Sequence, residues 1–293
     1  MTDTIQLARD FMKGHRAEDA ADPAADISRS DQNRGVPPPP LFKEFDRRVA
    51  TVIALPQGDS AILAEPNLVT LIRNRRSRRE YLEQPLTLQE LSYLLWATQG
   101  VLQVEQDHSG SLRTVPSSGA CHPYETYLVV NRVEGLRPGI YRYLALTHEL
   151  LQCDPPADPP AGSETCGRVT GSEACGRVRD SEAFGKVSVR DKLAAACFGE
   201  SFAGDAPVCF IWSCIPYRGE WKYGSKSHKA MLVDAGHICQ NLYLAAGSIG
   251  CGTCAIAGYD QDKIDALLGL DGHDEYVVYL APVGKVEGTN PFS

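Results

Sequence analysis

No run in this 293-residue chain approaches the roughly 20 consecutive apolar residues that a membrane-spanning helix requires. Membrane association therefore has no support in the sequence. Positive charge is also scarce: 29 Lys and Arg stand against 37 Asp and Glu, a formal net charge of -8 at pH 7. Nucleic acid is disfavoured as the main partner, because binding a phosphate backbone needs a broad basic face and this chain offers one short basic patch. The amino-terminal stretch has no apolar core of a secretory signal, and the expectation is a cytoplasmic protein. No G-x-G-x-x-G follows a strand-like run, which disfavours a dinucleotide-binding βαβ unit. Of the ten cysteines only Cys251 and Cys254 have C-x-x-C spacing, whereas a zinc site would want a second pair. No metal is expected, and most of the cysteines read as buried thiols.

What is present is ordinary globular composition, 43% hydrophobic and 23% charged, enough for one sizeable core. Residues 1–40 are polar, end in "VPPPP", and read as a flexible arm. Residues 41–293 carry the texture of a folded domain. "PNLVTLIRN" puts Leu68, Leu71 and Ile72 on one helical face, with a basic cluster where the helix should stop. Thr87 and Glu90 form a capping box for a second helix, with Leu88, Leu91, Leu94 and Leu95 as its apolar face and Gly100 at its end. "YETYLVVNRV" and "GIYRYLALTHELLQC" read as paired strands, "APVCFIWSCI" as a buried strand, "CAIAGY" and "EYVVYLAPVGK" as later ones. From His228 to about Ala246 apolar residues recur at helical spacing, making the longest helix. His237 on this helix reads as a core histidine. "DQDKIDALLG" reads as a short capped helix. Three nonapeptides beginning at Ser163, Ser172 and Ser181 are too short and polar to build a solenoid and read as a surface insertion at about 160–188. Strands and helices mix without βαβ alternation, so the class is α+β.

Four segments carry the candidate chemistry: "RRSRR" (75–79), "PSSGACHPYE" (116–125), "GSIGCGT" (247–253) and "APVGK" (281–285). In this order, with the long helix before the third and a strand entering the fourth, they resemble the FMN-dependent nitroreductase family. "PLTLQELSYLLWATQGV", "GLRPGIYRY", "WKYG" and "DAGHICQNLYLAA" resemble its SagB-type branch, the thiazole- and oxazole-forming peptide dehydrogenases. The resemblance spans roughly Leu41 to Lys285. It implies a nitroreductase-like mixed, mainly antiparallel sheet flanked by helices, with FMN held at a homodimer interface.

The resemblance also gives four arginines within five positions a purpose. Guanidinium groups match the oxygens of a flavin phosphate bidentately, and the family pattern puts Arg75, Ser77 and Arg79 on the phosphate, ribityl chain and pyrimidine edge. Arg76 belongs to the same basic set, although it and Arg78 are expected to turn toward solvent or acidic neighbours. Lys285 is a further phosphate contact by the same resemblance. Pro116, Ser117 and Ser118 correspond to the wall that a second subunit contributes, and Gly250, Cys251 and Gly252 to the loop whose amides approach the flavin ring, where glycine leaves room. Lys222 and Tyr223 match the pair implicated in taking a ring proton while the flavin takes hydride. A lysine can act so only if its pKa falls from about 10.4 toward neutrality through desolvation or a nearby cation. The implied activity is oxidation of an azoline ring in a modified peptide or related small heterocycle, with oxygen regenerating the cofactor. An NAD(P)H-dependent nitro or quinone reductase, and a flavin-holding scaffold working with a cyclodehydratase-type partner, are the alternatives.

Overall fold

The computed structural model describes residues 3–13, 30–48, 50–57, 60–105, 110–153 and 188–287. The nonapeptide repeats lie outside these apart from their last two residues, as does most of the stretch before Ser30. Helix α1 (Asp3–Met12) precedes β1 (Val52–Ala54), α2 (Leu68–Asn74), α3 (Leu88–Gln99) and the β2–β3 hairpin (Val101–Val104, Ser111–Arg113). Strands β4 (Tyr124–Val130), β5 (Gly139–Leu144) and β6 (Glu149–Cys153) follow, then α4 (Val189–Ala196), α5 (Ser201–Asp205) and β7 (Val208–Cys214). The chain continues through α6 (Tyr217–Tyr223), α7 (Ser227–Ser248), β8 (Cys251–Thr253), α8 (Gln261–Leu268) and β9 (Tyr276–Lys285).

Seven strands form one sheet in the order β1-β6-β5-β4-β7-β9-β8. Every ladder in it is antiparallel. Parallel pairing among the described residues is confined to isolated bridges, Ser77 with Thr253 and Leu86 with Val133. The central strands β4 and β7 are buried along their whole length, so their side chains alternate between two cores rather than between core and water. Leu128, Phe210 and Trp212 face Leu91, Leu94, Leu95, Ile238 and Leu242 of α3 and α7. Val129, Cys209 and Ile211 face Leu193 of α4 with Ile264 and Leu267 of α8. The sheet is thus the middle layer of an α+β sandwich, and each fully buried Leu or Ile contributes roughly 1.5–3 kcal/mol.

The capping box at α3 is present with both of its hydrogen bonds, and the helix ends at Gly100. The expected single strand "GIYRYLALTHELLQC" is two strands, β5 and β6, which reverse through residues 145–148 with His148 at φ 54°. The strand expected at "CAIAGY" instead lies just before it, at Cys251–Thr253, because that triplet registers against Val283–Lys285 of β9. "CAIAGY" keeps only a bridge between Ile256 and Leu280. His237 is exposed rather than in the core. The apolar face of α2 is uncovered as well, with Leu68, Val69 and Ile72 all more than half exposed.

Residues 30–40 lie against α6. Gln32 donates its amide to Trp221 O (2.9 Å), the Trp221 indole donates to Val36 O (2.9 Å), and Arg218 Nε donates to Pro40 O (3.1 Å).

Candidate active site

The candidate residues gather in two clusters. The first forms where α2 stops. Asn67 caps the start of this helix by accepting from the Thr70 amide, and Arg75 closes its end by donating its amide to Leu71 O. Beyond it the chain runs extended beside β8: Ser77 bridges Thr253, and the Arg78 amide donates to Thr253 O (2.9 Å). This pairing explains Gly252. A Cβ there would lie 2.6 Å from Arg78 Cγ and 2.7 Å from Val286 Cγ1.

Tyr243 of α7 organises the cluster. Its hydroxyl accepts the Ala255 amide (2.9 Å) and lies 3.0 Å from Ser77 Oγ, while the Arg75 guanidinium sits 5.2 Å above its ring. A cavity of about 290 Å³ opens here, lined by Arg75, Arg76, Arg78, Tyr243, Gly250 and Gly252 among others. Arg76 also donates to the carbonyls of Arg73 (3.0 Å) and Arg75 (2.8 Å), which draws it onto the end of α2. Arg79 stands apart, 5.8 Å over the Phe202 ring. Lys285 points elsewhere, paired with Glu90 and donating to Ile249 O (3.0 Å). Cys251 is buried, and burial pushes its thiol up to about 12, with Lys285 opposing the shift.

The second cluster forms on the first half of α7. Ser117 Oγ donates to Asp234 Oδ2 (2.6 Å), and the Ser118 amide donates to the same oxygen (3.1 Å). Burial raises the Asp234 pKa and these hydrogen bonds oppose the rise. The docked turn places Gly119 at φ 63°, and a Cβ there would come within 2.8 Å of Tyr223 Cε2, so the phenol ring packs where only glycine fits. Lys222 Nζ donates to Gly119 O (3.0 Å) and lies 5.8 Å from the Tyr223 ring centre. Ser117, Ser118, Lys222 and Tyr223, four of the residues picked out from the sequence, therefore share one surface. Pro116, at the start of the same turn, is exposed.

Asp234 and Tyr243, which hold the two clusters in place, are not among the residues expected from sequence. Both sit in the segment "DAGHICQNLY", where the polar residues recur among the apolar ones of the long helix without marking which of them would hold a site. They are nine positions apart, about 14 Å along the helix axis. One chain thus carries two clusters of candidate residues on one helix. Between them α7 exposes His237 and Gln240, and just before Asp234 it exposes Leu232 and Val233.

The nitroreductase family model matches residues 72–285, which include both clusters. The chain belongs to the nitroreductase family. A protein of Methanocaldococcus jannaschii named as a nitroreductase, MJ1384, is 31% identical over 223 residues, covering 76% of this chain and 93% of its own. The crystal structure of a protein of Anabaena variabilis described as a nitroreductase superposes with a TM-score of 0.53 at 25% identity over 74% of this chain, and this chain spans 37% of that longer one. A Ralstonia eutropha structure of the same description gives 0.57 at 22% identity, covering 86% and 96% of the two chains. A chain of the E. coli microcin synthetase McbBCD complex, solved with truncated pro-MccB17 bound, gives 0.50 at 19% identity, covering 84% and 79%. The last two likenesses establish the fold alone.

Membership in the family makes the chain an oxidoreductase of the flavin-using type. The donor set of the first cluster fits such a cofactor. Among the described residues, Arg75, Arg76, Arg78 and Arg79 have no carboxylate within ion-pair distance. Three of these, Arg75, Arg76 and Arg78, line one cavity beside a glycine turn together with Glu65 and Glu287, and three guanidiniums against two carboxylates suit an anion with several oxygens.

Proposed function

We propose that this protein is an FMN-dependent dehydrogenase acting on a modified peptide or related small heterocycle, oxidising an azoline ring to an azole with oxygen as the final electron acceptor. The observation that carries the reading is the hydrogen bond from Lys222 Nζ to Gly119 O. It seats the lysine–tyrosine pair on the turn whose serines, by the family resemblance, form a wall of the flavin site. FMN, when bound, supplies the hydride acceptor and hands the electron pair to oxygen. The protein's own work is to hold and deprotonate the substrate. Lys222 Nζ, held in direction by its hydrogen bond to Gly119 O, is the group assigned to receive the ring proton. Tyr223 packs against Gly119 beside that amine.

The phosphate falls to the arginines of the first cluster, with Arg75 held over Tyr243 and Arg78 beside Gly252. The two clusters are separated along α7, so we assign each flavin to the arginine cluster of one subunit and the Ser117 turn of the other. The exposed apolar residues of α2 and α7 supply the surface for such a homodimer.

The second reading, an NAD(P)H-dependent nitro or quinone reductase, is favoured by the description of the Methanocaldococcus relative. One experiment separates them. In Lys222→Met and Tyr223→Phe, azoline oxidation should fall by roughly 10²- to 10⁴-fold, the usual worth of a general base, with flavin content unchanged. Hydride transfer from NADPH to the flavin needs no protein base, so quinone reduction should survive. A parent protein that consumes NADPH with quinone and leaves an azoline peptide untouched would establish the reductase instead.

A further inference from the structure

A second cavity lies away from the arginine cluster, beneath the segment that follows the polyproline stretch. Its volume is about 350 Å³, and its walls come from Phe42–Phe45, the end of α3, β3, the start of β4, and β5 with its following turn. Such a volume is within the range of small-ligand sites. Phe42 and Leu146 also line an adjoining apolar hollow formed with Pro38, Pro39, Pro40 and Val104. The space therefore has an apolar mouth and a polar inner end.

The inner end has hydrogen-bonding capacity left over. Gln99 Nε2 and Thr126 Oγ1 are buried with no partner among the described residues, and both residues are 2% exposed. Leaving such a group unmet is unfavourable, because its bonds to water are lost and not replaced. Arg113, buried beside them, donates from Nη1 to Gln99 Oε1 (2.9 Å) and from Nε to Ser111 Oγ (3.3 Å). It stacks 5.4 Å over the Phe42 ring, and among the described residues it has no carboxylate within ion-pair distance. The buried carboxylates nearby are engaged, Glu125 by Arg218 Nη2 (2.6 Å) and the Lys43 amide (3.1 Å), and Glu275 by Lys43 Nζ, while Glu44 lines the exposed part of the cavity. Behind the Phe45 wall, buried Arg142 donates to Lys43 O (3.0 Å) and, among the described residues, has no carboxylate at ion-pair distance. A free amide donor, a hydroxyl and a buried excess of guanidinium, closed in by aromatic walls, complement an acceptor that is anionic at one end and apolar along its body.

We propose that this cavity is a ligand site for a small apolar carboxylate, with the carboxylate received by Arg113, Gln99 Nε2 and Thr126 Oγ1 and the apolar body lying between Phe42 and Leu146. The assignment does not depend on the flavin reading, since none of these residues belongs to either cluster. Water could fill the polar end, but it would leave the aromatic walls uncovered and the excess charge uncompensated.

Titration calorimetry on the full chain tests this with 3-phenylpropanoate and its uncharged analogue 3-phenylpropanamide. The acid should bind saturably at one site per chain, and the amide at least about tenfold more weakly, because the charge-assisted hydrogen bonds are lost. Arg113→Met should erase the preference for the acid. Because Arg113 is buried and its loss could unfold the protein, Leu146→Trp provides the independent arm. Leu146 is 54% exposed at the mouth, so an indole there should block the acid while the thermal melt stays that of the parent. Absence of saturable acid binding to the parent, equal affinity for acid and amide, or undiminished acid binding to Leu146→Trp would each overturn the proposal.

Discussion

His122 shows how much a single buried side chain can bias the stability of this protein. It follows the Ser117 turn, gives its amide to Ser117 Oγ (3.0 Å), and is 6% exposed at φ 41°. Burial first, then the charge of Arg113, hold its pKa down to about 3 from an ordinary 6.5. The folded protein thus keeps a neutral imidazole at a pH where the unfolded chain takes up a proton. A depressed folded pKa gives stability that is complete above the unfolded value and is lost as pH falls from about 6.5 toward 3. His148, lowered chiefly by its own burial, acts with the same sign. Urea denaturation at pH 7.5, 6.0 and 5.0 should show stability falling with acidification, by up to about 1.4 kcal/mol per pH unit for each histidine. In His122→Asn the slope should lose about one proton's worth. An unchanged slope in that variant would place the titration elsewhere.

At the scale of elements, one carboxylate ties three of them together. Glu90 accepts the Thr87 amide at the start of α3 (2.9 Å) and pairs with Lys285 at the end of β9, which in turn donates to Ile249 O just after α7. The side chains of the pair are 14% and 12% exposed. This explains why Lys285 does not reach the arginine cluster: its charge is already used where water is scarce. Thr87→Ala should cost about 1 kcal/mol, the ordinary worth of a cap. Glu90→Gln keeps an oxygen for capping but strands a buried ammonium, and should cost about 3 kcal/mol or more. Adding Lys285→Met to Glu90→Gln should recover most of that loss, because no unpaired charge then remains. Chemical denaturation of the three variants would measure it, and equal losses in Thr87→Ala and Glu90→Gln would show that the pair contributes nothing beyond the cap.

At the scale of the whole molecule, the proposed arrangement divides each flavin site between two subunits. If each flavin draws on Arg75 of one subunit and Lys222 of the other, Arg75→Glu and Lys222→Met inactivate both sites of their own homodimers. Unfolding and refolding an equal mixture should restore activity to about a quarter of the parent, since half the dimers are mixed and each mixed dimer holds one intact site. Failure of the mixture to regain any activity, with exchange verified by mass spectrometry, would mean that each site is built within one chain.

Much of the fold was legible in the sequence because it is set by nearby residues. The capping box of α3, the length of α7, the C-terminal glycine of α8 and the buried runs of β4 and β7 follow from spacing, caps and side-chain character within a few positions. The place of β8 was not legible. A three-residue strand is fixed by its partner, here Val283–Lys285, and neighbouring "CAIAGY" has equal local preference for a strand. The same division holds at the candidate site. The motifs flag Arg75, Ser77, Ser117, Ser118, Gly252, Lys222 and Tyr223 among others, and the structure brings four of them, Ser117, Ser118, Lys222 and Tyr223, onto one surface. What the motifs leave open is which partner each charge meets. Lys285 and Arg79 turn to Glu90 and Phe202 through contacts distant in sequence, Asp234 and Tyr243 gain their roles by facing loops from elsewhere, and the second cavity draws on Gln99, Arg113 and Thr126 from three separate elements. Local sequence determined the elements and the chemistry available to them; tertiary packing decided where each charge went, because a charge leaving water must find its partner in whatever the fold brings beside it.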